Sequence, residues 1–275
     1  RVDPERAIRA LESALSLRRR LPGALRFLAT LQGEAGDWAS ALQTRERLLA
    51  TEESADRRRE QLLELGRMAM SEAKDPQTGA VYFQRVLDGF PDDVEGLVGF
   101  AEAHDKLGQP LRALRALDRA ARLLQERGDQ QSAADVMVQL GHLWAKQPEE
   151  GPATAALRYR QALLLAPGHA AALMGIAETA IAQGEPSRAR VALEDLLKTT
   201  PDTGALISRA QIYLRLGQIL DSFVGDPVLA ATYFQKAMDG EDEVAEQALV
   251  ELEALHTGGD RWDDVARVLE VGIGR

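Results

Sequence analysis

One spacing constrains this chain more than anything else it contains: a landmark that returns about every 75 residues. Asp3-Pro4-Glu5-Arg6-Ala7 recurs as Asp75-Pro76-Gln77-Thr78-Gly79, Gly151-Pro152-Ala153-Thr154-Ala155 and Asp226-Pro227-Val228-Leu229-Ala230, in steps of 72, 76 and 75 residues. Between these landmarks stand Leu65-Gly66, Leu140-Gly141 and Leu216-Gly217, again 75 and 76 apart. Self-similarity on this scale means an array, because each unit buries its apolar face only against its neighbours.

Proline is tolerated at the first helical position, where its missing N–H has no intrahelical partner, and an aspartate before it caps the helix. The landmarks therefore start helices. Apolar residues follow each at helical spacing: Ala7, Leu11, Ala14 and Leu15; Phe83, Val86 and Leu87; Tyr159, Ala162 and Leu163; Phe234, Ala237 and Met238. Pro91, Pro167 and Pro201 then end helices. Each super-repeat holds two hairpins, so the chain reads as all-α. A lone second helix at 1–20 is followed by hairpins at 21–52, 53–91, 92–127, 128–167, 168–201, 202–240 and 241–275, about 15 helices in one solenoid over 1–275. A half-hairpin cannot cover its own apolar face, so Arg1 and Arg275 read as cut ends of a longer array that continues at least on the N-terminal side.

These residues resemble the tetratricopeptide repeat family, whose units carry Leu-Gly and large residues on a first helix and Ala, an aromatic and Ala on a second. The resemblance is clearest in Leu173-Ile176-Ala177-Gly184-Ala189-Leu193-Pro201 and in Leu97-Phe100-Ala101-Gly108-Ala113-Leu117-Ala120. The Leu-Gly units depart from it by one or two extra residues, which predicts longer first helices alternating with compact hairpins. The resemblance implies a right-handed superhelix of antiparallel hairpins with a concave groove that holds other proteins.

Composition closes off other classes. With 45% apolar residues, 5% aromatic and no cysteine, the chain can build an aliphatic core but no disulfide, thiolate metal site or cysteine nucleophile. A net charge of −10 disfavours nucleic acid, and no run of about 20 apolar residues offers membrane insertion. Residues 1–60 hold 12 basic against 10 acidic residues, whereas 226–275 hold 4 against 12, so an acidic C-terminal end could pair with the arginine-rich start of another copy. Arg18-Arg19-Arg20 and Arg57-Arg58-Arg59 read as solvated helix ends that favour the helix dipole.

No phosphate loop, nucleophile elbow or zinc-helix spacing is present, so neither catalysis nor a cofactor is expected. The four histidines, His104, His142, His169 and His256, fall in separate hairpins, which argues against a metal site. Asp92-Asp93, Glu149-Glu150 and Asp263-Asp264 read as caps, Trp38, Trp144 and Trp262 as packing residues, and Gly66, Gly141 and Gly217 as close-packing positions.

The family pattern of first-helix groove positions, carried over residue by residue, selects an apolar stripe of Leu63, Val98, Val138, Met174, Leu214 and Leu249, broken by Arg26. Arg67, Glu102, His142, Glu178, Gln218 and Glu253 flank it, with Met70 and Ile181 one turn on. The resemblance thus implies a non-catalytic scaffold for a peptide, an amphipathic helix or a small folded domain, with a small GTPase, a polarity or motility factor or a secretion component as partner classes. A periplasmic exopolysaccharide-export scaffold and a regulatory segment of a larger enzyme are the alternatives. The cytoplasm is the expected compartment, and the periplasm stays open because a leader would precede Arg1. A carboxylate clamp for chaperone tails is not expected: the chain has no asparagine, and its five lysines are spread one to a region.

Overall fold

The computed structural model describes residues 4–18, 20–201 and 207–258. All of its regular structure is helical among these residues, and it divides into two units, 1–129 and 130–275. The first unit holds α1 (Pro4–Leu17), α2 (Pro22–Glu34), α3 (Trp38–Leu49), α4 (Ala55–Ser71), α5 (Pro76–Gly89), α6 (Val94–Lys106) and α7 (Pro110–Glu126). The second holds α8 (Gln130–Ala145), α9 (Gly151–Leu165), α10 (Ala170–Ala182), α11 (Pro186–Thr199), α12 (Arg209–Ile219) with a π-turn at Leu220–Val224, α13 (Pro227–Ala237) and α14 (Asp242–Gly258). A fifteenth helix would fall at 259–275, outside the described residues.

Helix starts follow the sequence. The Thr78 N–H donates to Asp75 at 3.1 Å, Gly96 N–H to Asp93 at 2.6 Å and Leu229 N–H to Asp226 at 3.0 Å. Proline opens α2, α5, α7, α11 and α13. The α9 start has no side-chain cap bond from Glu150, and Asp263-Asp264 and Trp262 lie outside the described residues. Glycine closes the first helix of both compact hairpins with positive φ, 68° at Gly108 and 70° at Gly184, a region that costs a Cβ-bearing residue strain.

First-helix lengths alternate as expected: α2, α6 and α10 have 13 residues each, α4 has 17 and α8 has 16. The extra length after α12 is wound as the five-residue π-turn rather than as α-helix. One charge reading is overturned. Arg57-Arg58-Arg59 lie at the start of α4, where the helix dipole disfavours cations. Arg59 is held there by the buried Asp93 carboxylate.

Within each unit a helix packs on the next, and first helices of neighbouring hairpins also touch: α4 on α6, α8 on α10 and α12 on α14. The core of the first unit centres on Leu62, Leu65, Phe83 and Val86, and that of the second on Leu173, Leu193, Ile212 and Leu216, continuing to Phe234 and Leu252. No described helix is long and apolar enough to cross a membrane.

Candidate functional site

The site begins with a single position on the second helices. Seven residues beyond the proline at each helix start, Pro76, Pro110, Pro152, Pro186 and Pro227, stand Phe83, Leu117, Tyr159, Leu193 and Phe234, all buried. Aromatic rings in this slot need room, and glycine on the first helices supplies it. A Cβ on Gly66 would come within 2.7 Å of the Phe83 ring, and one on Gly99 within 2.4 Å. Tyr159 is pinched in the same way by Gly141 and Gly175, at 2.3 and 2.4 Å, and Phe234 stands 2.5 Å from a Cβ on Gly217. The Leu-Gly glycines are therefore close-packing positions.

The ring draws α4 and α6 over α5 and leaves a cleft of about 390 Å³ with Phe83 at its floor. Arg67, Met70, Val98 and Glu102 line it, together with Glu95 and Lys106, which sequence reasoning missed. Arg67 is ion-paired with Glu95 across the cleft, and Lys106 with Glu102 at 2.9 Å along α6. All four charged groups face solvent, so the lip can exchange these pairs for a partner's charges at little cost.

In the second unit α8, α9 and α10 repeat the arrangement with different chemistry. The Tyr159 hydroxyl lies 3.0 Å from His142 Nδ1, and the two rings meet edge to face at 5.5 Å. Partial desolvation lowers the His142 pKa, opposed by the charge of Glu178. Burial, followed by Glu178, pushes the Tyr159 hydroxyl up to about 12. Met174 and Ile181 are half-buried beside this pair. Over Phe234, the Gln218 amide donates to Glu251 at 2.8 Å, with Leu249 and Glu253 half-buried on α14.

The apolar stripe divides. Leu63, Val138, Leu214 and Met70 are 2–8% exposed and belong to the core, whereas Val98, Met174, Ile181 and Leu249 keep part of their surface. Packing depth, not spacing along a helix, separates the two groups.

Arg26 is exposed, on the wall of a second cleft of about 360 Å³ between α2, α3 and α4. Among the remaining singled-out residues, Asp93 is a buried cap and His104 is buried with Nδ1 2.9 Å from Gln109 Oε1. His169 caps α10 and contacts Asp135 at 2.8 Å, and the Trp38 ring packs on Gly33.

The comparisons bear on the fold. The tetratricopeptide repeat family matches residues 149–212. No curated protein matches the chain. A tetratricopeptide repeat protein from Parabacteroides merdae superposes with a TM-score of 0.60 at 16% identity, covering 92% of this chain and 92% of that one. PilW, described as a type IV pilus biogenesis factor, gives 0.59 at 16% identity over 82% of this chain and 97% of its own. MamA gives 0.54 at 20% identity over 68% and 94%. The resemblance read from the sequence holds at the level of fold: the described residues form helical hairpins like those of tetratricopeptide repeat proteins, and the family model itself matches the stretch 149–212.

Proposed function

We propose that this chain is a non-catalytic scaffold that docks a protein segment in the cleft over Phe83, with the surface over Tyr159 serving the same role in the second unit. The observation that carries the reading is the repeated arrangement of an aromatic floor between glycines, a half-buried aliphatic wall at Val98 or Met174 and a polar lip at Arg67 and Glu102 or His142 and Glu178. Such a surface suits an amphipathic helix or extended segment that presents one apolar anchor flanked by charges of both signs. Small GTPases, polarity or motility factors and secretion components are the partner classes to look for.

The test is affinity capture from the source cell with the wild-type chain and with Arg67→Glu/Glu102→Lys as bait. Both positions are exposed, so circular dichroism should show an unchanged helical fold. A partner captured by the wild type and lost from the folded variant supports the reading. A partner held equally by both removes the cleft over Phe83 as the docking site.

A further inference from the structure

We propose that the hairpin α2–α3 carries a separate anchoring site, one that takes an aspartate or glutamate side chain of a partner segment beside an aliphatic residue. The proposal deepens the scaffold reading and rests on it. Trp38 follows its capping Asp37 as Pro76 follows Asp75, and counting seven residues on from it reaches Arg45, where the same count from the prolines of α5, α7, α9, α11 and α13 reaches the buried Phe83, Leu117, Tyr159, Leu193 and Phe234. Arg26 breaks the apolar stripe in the same hairpin. Two positions that are apolar elsewhere in the array are thus both arginine here, and both line the cleft of about 360 Å³.

The charge inside that cleft is unbalanced. Glu64 from α4 pairs with Arg45, while Arg26 has no acidic partner among the described residues. Two guanidinium groups thus face one carboxylate, in a chain whose net charge is −10. The cleft over Phe83 differs, its two cations being matched by two acids. Ala29, Leu48 and Leu65 supply an aliphatic floor, and Gln61 adds an amide on the wall.

A guanidinium fork with no partner, above an aliphatic floor, suits a carboxylate carried on a short hydrocarbon stem. The floor has nothing to offer a bare inorganic anion. Leu48 is half-buried and rewards an aliphatic neighbour in the same segment, which commits the occupant to a protein side chain.

The experiment is fluorescence anisotropy with a dye-labelled, N-acetylated and C-amidated peptide of alternating leucine and glutamate. Its leucine–glutamine counterpart is run beside it. Amidation removes the terminal carboxylate, so only side chains can bind. The glutamate peptide should saturate the wild type and the control variant Arg115→Glu, whose exposed site lies on α7. Replacing glutamate by glutamine, or making Arg26→Gln or Arg26→Glu, should weaken binding about tenfold or more, the size expected for losing one charge-assisted hydrogen bond. Absence of saturable binding at millimolar protein, equal affinity for the two peptides, or equal loss in Arg115→Glu would each overturn the anchor. None of these results touches capture through Arg67 and Glu102, so the two readings fail separately.

Discussion

Adding one methyl group at Gly99 should destabilise the first unit, although alanine is the better helix former. A Cβ there would stand 2.4 Å from Cε1 of Phe83, and ordinary contact begins at 3.4 Å, so the ring would have to retreat by about 1 Å. Retreat toward α4 is blocked, because a Cβ on Gly66 would already be only 2.7 Å away, and a shift toward the cleft would take the ring out of a site where it is 2% exposed. Overpacking of this kind costs about 1–3 kcal/mol, against a gain of up to about 1 kcal/mol from replacing glycine within a helix. The net expectation is a loss of about 1–2 kcal/mol, or a melting temperature lower by a few degrees for a unit of this size. Urea unfolding followed by helical circular dichroism, with hydrogen exchange across α4–α6, measures it. Gly23→Ala is the control, since no atom lies within 4 Å of a Cβ there, and it should be neutral or stabilising. Leucine fills the same slot at Leu117 and Leu193, so adding Phe83→Leu to Gly99→Ala should recover part of the loss, a coupling of about 0.5 kcal/mol or more. If Gly99→Ala proves as stable as Gly23→Ala, the glycine–aromatic clamp is not what sets the approach of α4 and α6.

Leu214→Glu should unfold part of the second unit, with a loss of about 3 kcal/mol or more from a carboxylate buried without a partner, whereas the half-buried Met174→Glu should remain folded; comparing their denaturation curves tests the division of the apolar stripe. Asp75→Ala removes the acceptor for the Thr78 N–H and should cost about 1 kcal/mol by urea titration. Burial lowers the pKa of His104, against the pull of its Gln109 bond. Below about pH 6.5 the unfolded chain therefore takes up a proton that the folded chain refuses, and stability should fall with pH there, less steeply in His104→Gln. Burial holds Tyr159 protonated up to about pH 12, so its stabilisation is complete below pH 10 and is lost between there and 12; ultraviolet titration of wild type against Tyr159→Phe reads that ionisation.

Periodicity along the chain makes much of this protein legible by itself. Asp-Pro and Leu-Gly recurrences fix where helices begin and which first helices are long, because capping and proline geometry act within a few residues of chain. Loss of a Cβ at Gly66, Gly141 and Gly217 likewise points to close approach without saying to what. The family pattern puts Arg26, Arg67 and Glu102 at groove positions, and these line the clefts of the first unit.

Tertiary packing decided the rest. Leu63 and Val98 occupy equivalent first-helix positions and look alike in sequence, yet one is core and the other wall, since burial depends on how closely the next hairpin approaches. The dipole reading of Arg57-Arg58-Arg59 failed for a related reason: which end of α4 they occupy depends on where the preceding helix stops, and Asp93, 34 residues away from Arg59, compensates that one arginine only once α6 is folded beside α4. Arg45 and Arg26 share a cleft solely because α3 and α2 fold back on one another. Short-range sterics and capping write the order of the helices into the chain, whereas charge balance and depth of burial are properties of contacts between residues far apart in it, and those exist only when the hairpins stack.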